Sequence, residues 1–326
     1  MSWQPRSRRL ALLGIMTLLL LISLEGAAQV RKHWDAEKPR PDVSNLQYGP
    51  FERNVLDLWK APVAPTAVGG PTSAPLVIFF HGGGFVGGDK SSVPAWMIHG
   101  CLERGISVAS ANYRLSTQAP FPAPMLDGAR AVQFLRLKAA ELGIDPRRIA
   151  ACGNSAGAGI SLWVGFHDDL ADPASVDPVL RQSSRLACMG TVGAQTSYDP
   201  RFIKDLIGGR AHEHVALRSL FGVTCDAEAD SPRVHRLYEA SSPLNLVSSD
   251  DPPVILFYSE PNADLPPNVR PGVGIHHPRF GLALKSRLDA LGIECILRHH
   301  DDYRGREHPE QAMCSDLVGF FAAHLR

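Results

Sequence analysis

Residues 149–167 set an apolar run, Ile149-Ala150-Ala151-Cys152, directly against Gly153-Asn154-Ser155-Ala156-Gly157, with a stretch of amphipathic helical spacing at 156–167 following at once. A strand that passes into a helix through so few residues must turn sharply, and two glycines supply the room for it. Such a junction belongs to sheets in which strands and helices alternate along the chain.

The remaining sequence keeps to that alternation. Residues 54–59 alternate in the manner of a half-buried strand, and a Pro- and Gly-rich stretch at 61–75 reads as a loop. Apolar runs at 75–80 and 106–112 precede the one at 149–152. Met125, Leu126, Ala129, Val132, Leu135, Leu137 and Leu142 recur at helical spacing, Gly143 closes that helix, and Asp145-Pro146 is expected to turn. Strands are predicted at 186–192, 254–258 and 293–297, with helices at 280–291 and 311–324. Only 196–240 breaks the pattern; short helical candidates at 202–207, 215–221 and 234–238 suggest a small helical cap insertion above the strand ends. The expected fold class is α/β: a mostly parallel twisted sheet with helices on both faces and its functional groups at the carboxyl ends of strands.

At 326 residues, 44% hydrophobic and 20% charged, the chain has enough apolar surface for one large core. Arg6, Arg8 and Arg9 precede an apolar run at 10–24, and Gly26, Ala27 and Ala28 offer small residues for cleavage, so residues 1–28 read as an export signal and 29–326 as the mature domain. The run is shorter than the roughly 20 residues a membrane span needs, which predicts a secreted or periplasmic protein without a stable membrane anchor. Lysine plus arginine and aspartate plus glutamate each number 33; loss of three arginines and one glutamate with the signal leaves about minus two. Basic residues form no stripe, which argues against a nucleic-acid partner. Cys101, Cys152, Cys295 and Cys314 lie in apolar or helical patterns and read as buried thiols, leaving Cys188 and Cys225 as a disulfide candidate.

A serine hydroxyl becomes a nucleophile only when it is exposed and a base accepts its proton, and the glycine-flanked turn presents Ser155 in that way. Upstream, the 75–80 run leads straight into His81-Gly82-Gly83-Gly84, whose backbone amides can approach a developing oxyanion beside the Ala156 amide. A phosphate-binding loop is the rival for the triplet, but neither G-x-x-x-x-G-K-[ST] nor G-x-G-x-x-G follows. His81 itself reads as structural.

Through His81-Gly82-Gly83-Gly84-Phe85, Tyr113-Arg114-Leu115, Asp127 and Gly153-Asn154-Ser155-Ala156-Gly157, the chain from about Tyr48 onward resembles the hormone-sensitive-lipase-like branch of the α/β-hydrolase carboxylesterases. The resemblance implies the α/β-hydrolase fold, an oxyanion hole from Gly82, Gly83 and Ala156, and supporting roles for Tyr113 and Asp127. It also implies the chain order serine, acid, histidine, with the histidine after the strand at 293–297. His299, His300 and His308 lie there; His308 is favoured over His300 because it stands in a short glycine-containing loop before the last helix. Asn262 occupies the family's acid position in Ser259-Glu260-Pro261-Asn262, leaving Asp264 as the favoured acid and Glu260 as the alternative.

The connection at 265–278 is longer than is usual in the family and is expected to line the cleft. Its His276 and His277, like His299 and His300, read as surface histidines rather than metal ligands, since no H-E-x-x-H spacing is present. The expected activity is that of an exported serine esterase working through an acyl-enzyme on Ser155. It needs no cofactor, and its substrate is a small-molecule or polysaccharide-linked ester. A catalytically impaired binding module, motivated by Asn262, and an exported peptidase or acyltransferase are the alternatives.

Overall fold

The computed structural model describes residues 36–62 and 73–326; the expected export signal and most of the 61–75 loop lie outside the described residues. Strand β1 (Val43–Gln47) and strand β2 (Val55–Trp59) run antiparallel, and β2 in turn pairs antiparallel with β4 (Ser107–Ala111). β3 (Ala74–Phe80), β5 (Ile144–Asn154), β6 (Met189–Val192), β7 (Val254–Tyr258) and β8 (Cys295–His299) complete a sheet of eight in the order β1-β2-β4-β3-β5-β6-β7-β8, parallel from β4 onward.

Alternation along β3 shows how one sheet serves two cores. Leu76, Ile78 and Phe80 face one side and Val77 and Phe79 the other, all within 5% of complete burial. Helix α1 (Ala95–Leu102) and the last helix, Pro309–His324, cover the Val77 side through Met97, Ile98, Leu317, Val318 and Phe321. Helices α2 (Ala123–Leu137) and α3 (Ala156–Phe166) cover the other side together with a helix at Arg279–Asp289. Between β6 and β7 stand α4 (Pro200–Ile207), α5 (Val215–Phe221) and α6 (Pro232–Ser241), each begun by a side chain that accepts from a backbone N–H of its first turn: Asp199, His214 and Ser231. The remaining two long helices are α7 (Arg279–Asp289) and α8 (Pro309–His324).

Three expectations need correction. Asp145-Pro146 does not break the chain, because β5 begins at Ile144 and the Asp145 carboxylate, bound by the Arg147 amide and the Arg148 guanidinium, is held within the strand's irregular start. β8 lies two residues later than expected and ends on His299. All six cysteines are free thiols: Cys188 is buried and Cys225 exposed, so they form no disulfide.

Register places the ends that matter in one row. Phe80 pairs with Gly153, Asn154 with Val192, Val192 with Phe257, and Tyr258 with His299, so the loops after β3, β5, β6, β7 and β8 leave the sheet side by side.

Candidate active site

The junction after β5 is folded as its glycines require. A Cβ on Gly157 would stand 1.9 Å from the Phe80 carbonyl oxygen, and one on Gly153 would stand 2.5 Å from the Gly157 carbonyl carbon. Closed to that extent, the turn forces Ser155 to φ 50°, ψ −118°, a conformation that costs a non-glycine residue on the order of 1–3 kcal/mol. The Ser155 amide donates to Val192 O at 2.9 Å, and Ala156 opens helix α3 with its amide among those that no helical carbonyl can meet.

The loop after β3 wraps this turn. Gly83, Gly84 and Phe85 all have positive φ (114°, 59° and 62°), the left-handed region that glycine enters without strain. The Gly82 amide is not among the free ones: it donates to Asn154 Oδ1 at 3.1 Å, and a Cβ there would meet the same side chain at 2.7 Å. Gly82 thus clamps the loop to the serine turn, while the Gly83, Gly84 and Ala156 amides have no protein acceptor among the described residues. Behind the loop lies His81, fully buried. Its Nδ1 donates to Gly82 O at 2.7 Å, its Nε2 accepts from Arg53 Nη2 at 3.1 Å, and its ring stacks on Tyr113 at 4.3 Å. Burial pushes its pKa down to about 4. The Tyr113 hydroxyl donates to His81 O, and Asp127 holds Arg114 through its amide and guanidinium, so both expected supports lie behind the loop.

The histidine that meets the serine is neither His308 nor His300. His276 Nε2 accepts from Ser155 Oγ at 2.8 Å, and Gly193 lies beneath the ring, where a Cβ would come within 3.1 Å. Glu260 stands behind it: Oε1 accepts from the His276 backbone amide at 3.2 Å and lies 3.7 Å from Nδ1, an ion-pair contact longer than a hydrogen bond. Burial lowers the His276 pKa, the Glu260 charge opposes that, and His214 adds to it. Asp264, the favoured acid, points outward, 91% exposed and bound to Arg279.

His308 fails for a topological reason. Past β8, the His299 and Asp302 side chains cap a single turn at His300–Tyr303, and the chain proceeds to α8 without crossing toward Ser155. His308 comes to rest beside Glu307 (3.4 Å) in a separate cleft that it shares with His300. The long connection supplies the histidine instead. It is tied down by Gln195 Nε2 donating to Ile275 O, by His277 Nε2 donating to Ala263 O, and by His299 Nε2 donating to Glu260 O at 2.6, 3.0 and 2.8 Å. His277 is fully buried, and neither histidine of the pair is a surface residue of the kind expected. Along the chain these three groups run Ser155, Glu260, His276, with the histidine before β8 rather than after it. The length of 265–278 was the sequence signal for it.

Next to Ser155 and Ala156 opens a small apolar pocket walled by Phe85, Tyr198, Ile203, Leu220 and Phe280. It holds about 50 Å³, where one water needs roughly 10–15 Å³. Among the described residues, no group of three or more His, Cys, Asp or Glu side chains is placed to hold a metal ion.

Comparison with known proteins agrees with this architecture. The BD-FAE family model matches residues 64–269. Esterase LipQ of Mycobacterium tuberculosis is 29% identical over 234 residues, which is 69% of this chain and 50% of the relative. Carboxylesterase NlhH of the same species is 42% identical over 88 residues, 27% of each chain. The matched stretches therefore span half or less of these curated relatives. A truncated carbohydrate esterase from gut microbiota superposes with a TM-score of 0.64 at 20% identity, covering 86% of this chain and 95% of that one. Likeness at that identity shows the fold, which is the α/β-hydrolase fold.

Proposed function

The chain belongs to the BD-FAE family, and from that membership together with the Ser155–His276–Glu260 line we propose that it is a serine esterase cleaving carboxylic esters through an acyl-enzyme on Ser155. The observation that carries this reading is the 2.8 Å contact between Ser155 Oγ and His276 Nε2, made across a turn that leaves the hydroxyl facing a pocket.

Ser155 Oγ attacks the ester carbonyl as His276 Nε2 takes its proton, and Glu260 stabilises the imidazolium that forms. The Gly83, Gly84 and Ala156 amides receive the negative charge on the carbonyl oxygen. His276 then protonates the departing alcohol, and water repeats the sequence to release the acid. A pocket of about 50 Å³ fits a short acyl group such as acetyl. The alcohol is a small molecule or part of a polysaccharide; the superposition on a carbohydrate esterase supports the second. Residues 1–28 act as an export signal in this proposal, which amino-terminal sequencing of the protein recovered outside the cytoplasm tests.

Stoichiometric labelling of Ser155 by a fluorophosphonate is the expected result, with turnover of p-nitrophenyl acetate and none of peptide anilides. Folded protein that resists the probe would return the chain to the binding-module reading, whose motive, Asn262 in place of an acid, loses force with Glu260 at His276.

A further inference from the structure

The cap residue His214 belongs to two cavities at once. With Leu217 it lines the inner pocket beside Ser155 and also an outer cleft of about 510 Å³ among α4, α5 and α6. Its position as the residue that starts α5 fixes its chemistry. Nδ1 accepts the Ala216 amide at 3.3 Å, so a neutral ring must carry its proton on Nε2. Burial lowers the His214 pKa and keeps the ring neutral near pH 7. No hydrogen-bond partner for Nε2 is found among the described residues, and His276 lies close enough that a proton on the His214 ring would lower its pKa. A fixed donor therefore stands in the wall shared by the pocket beside Ser155 and the outer cleft.

The outer cleft narrows what that alcohol is. Most of its charged groups are already paired: Arg201 with Asp199, Glu213 with Arg210 and Arg218 with Asp226, while the Asp230 carboxylate has His235 Nε2 at 3.1 Å. Matched pairs offer hydrogen bonds without a net field, which suits an uncharged, hydroxyl-bearing group better than an anion or a cation. His212 Nδ1, buried in the same wall, has no partner among the described residues and adds one more site for a hydroxyl.

We infer that His214 contacts the substrate, donating from Nε2 to the alcohol oxygen of the ester while an uncharged hydroxyl-bearing alcohol occupies the outer cleft. The inference rests on the esterase reading. His276 still delivers the proton; His214 stabilises charge on the departing oxygen. That charge is large for an alkyl alcohol and is spread into the ring for p-nitrophenol, so the two leaving groups depend on the donor unequally.

The test compares kcat/KM for glycerol monoacetate and p-nitrophenyl acetate in wild type, His214→Ala and His214→Gln. His214→Ala is expected to lower the glycerol monoacetate value at least tenfold further than the p-nitrophenyl acetate value, and His214→Gln, which keeps an N–H donor, to recover part of that difference. Equal losses on both esters, as from a loosened cap, would overturn the role of His214. Wild-type protein that hydrolyses neither acetate would sink the esterase reading itself, a result distinct from equal losses.

Discussion

His276 can take a proton from Ser155 only while it is neutral, so the groups around it set the acid limit of activity. Burial, the largest influence, lowers its pKa and Glu260 opposes the shift. The activity profile is therefore expected to rise with an apparent pKa below about 6.5, the usual histidine value. Glu260→Gln removes the opposing charge, so the acid limb moves to lower pH while the plateau falls by up to about 10⁴, the scale seen when a triad acid is neutralised. A limb that moves upward instead would take Glu260 out of the role. Asp264→Ala is the companion measurement. With its carboxylate 91% exposed and held by Arg279, its loss is expected to change kcat/KM by no more than about twofold.

At the scale of elements, the site depends on a turn that admits no added atom. Gly157→Ala would set a methyl 1.9 Å from the Phe80 carbonyl oxygen, backbone that cannot yield as a flexible side chain does. It is expected to lower stability by about 2–4 kcal/mol in urea unfolding and to abolish fluorophosphonate labelling. Gly105→Ala, at a loop glycine of positive φ with nothing within 4 Å of its Cβ position, should lose stability but keep labelling. The same turn was legible in the sequence because strand, Gly-Asn-Ser-Ala-Gly and helix are contiguous and carry their signal locally. His276 was not. Its partnership with Ser155 depends on how a long loop folds back over the sheet, secured by contacts such as Gln195 to Ile275 and His299 to Glu260 that no spacing encodes. Gly82 was misplaced for a related reason: a glycine before a functional loop reads as an open amide until Asn154 is seen to occupy it. The late end of β8, at His299, likewise reflects pairing with Tyr258 rather than local apolar pattern.

On the scale of the whole molecule, His81 joins parts far apart in sequence: the loop after β3, Arg53 ahead of β2, and Tyr113 after β4. It is fully buried, and with its pKa pushed down to about 4 it stays neutral in the folded protein under conditions where the unfolded chain's histidine, near 6.5, has taken up a proton. Protons then bind preferentially to the unfolded state, so stability falls as pH falls. The contribution is complete above about pH 6.5 and is lost progressively down to about pH 4, about 3 kcal/mol in all for a shift of this size. Asp89, with its pKa lowered to about 2, gives way only at pH values below this window and does not obscure it. Urea unfolding between pH 7.5 and 4.5 should show the decline. In His81→Gln, which removes the titrating group and retains a donor and an acceptor, stability should start lower and vary less over the same range. An unchanged slope in that variant would mean that the acid sensitivity arises elsewhere, and that the loop holding the free amides of Gly83 and Gly84 is not anchored by a neutral ring.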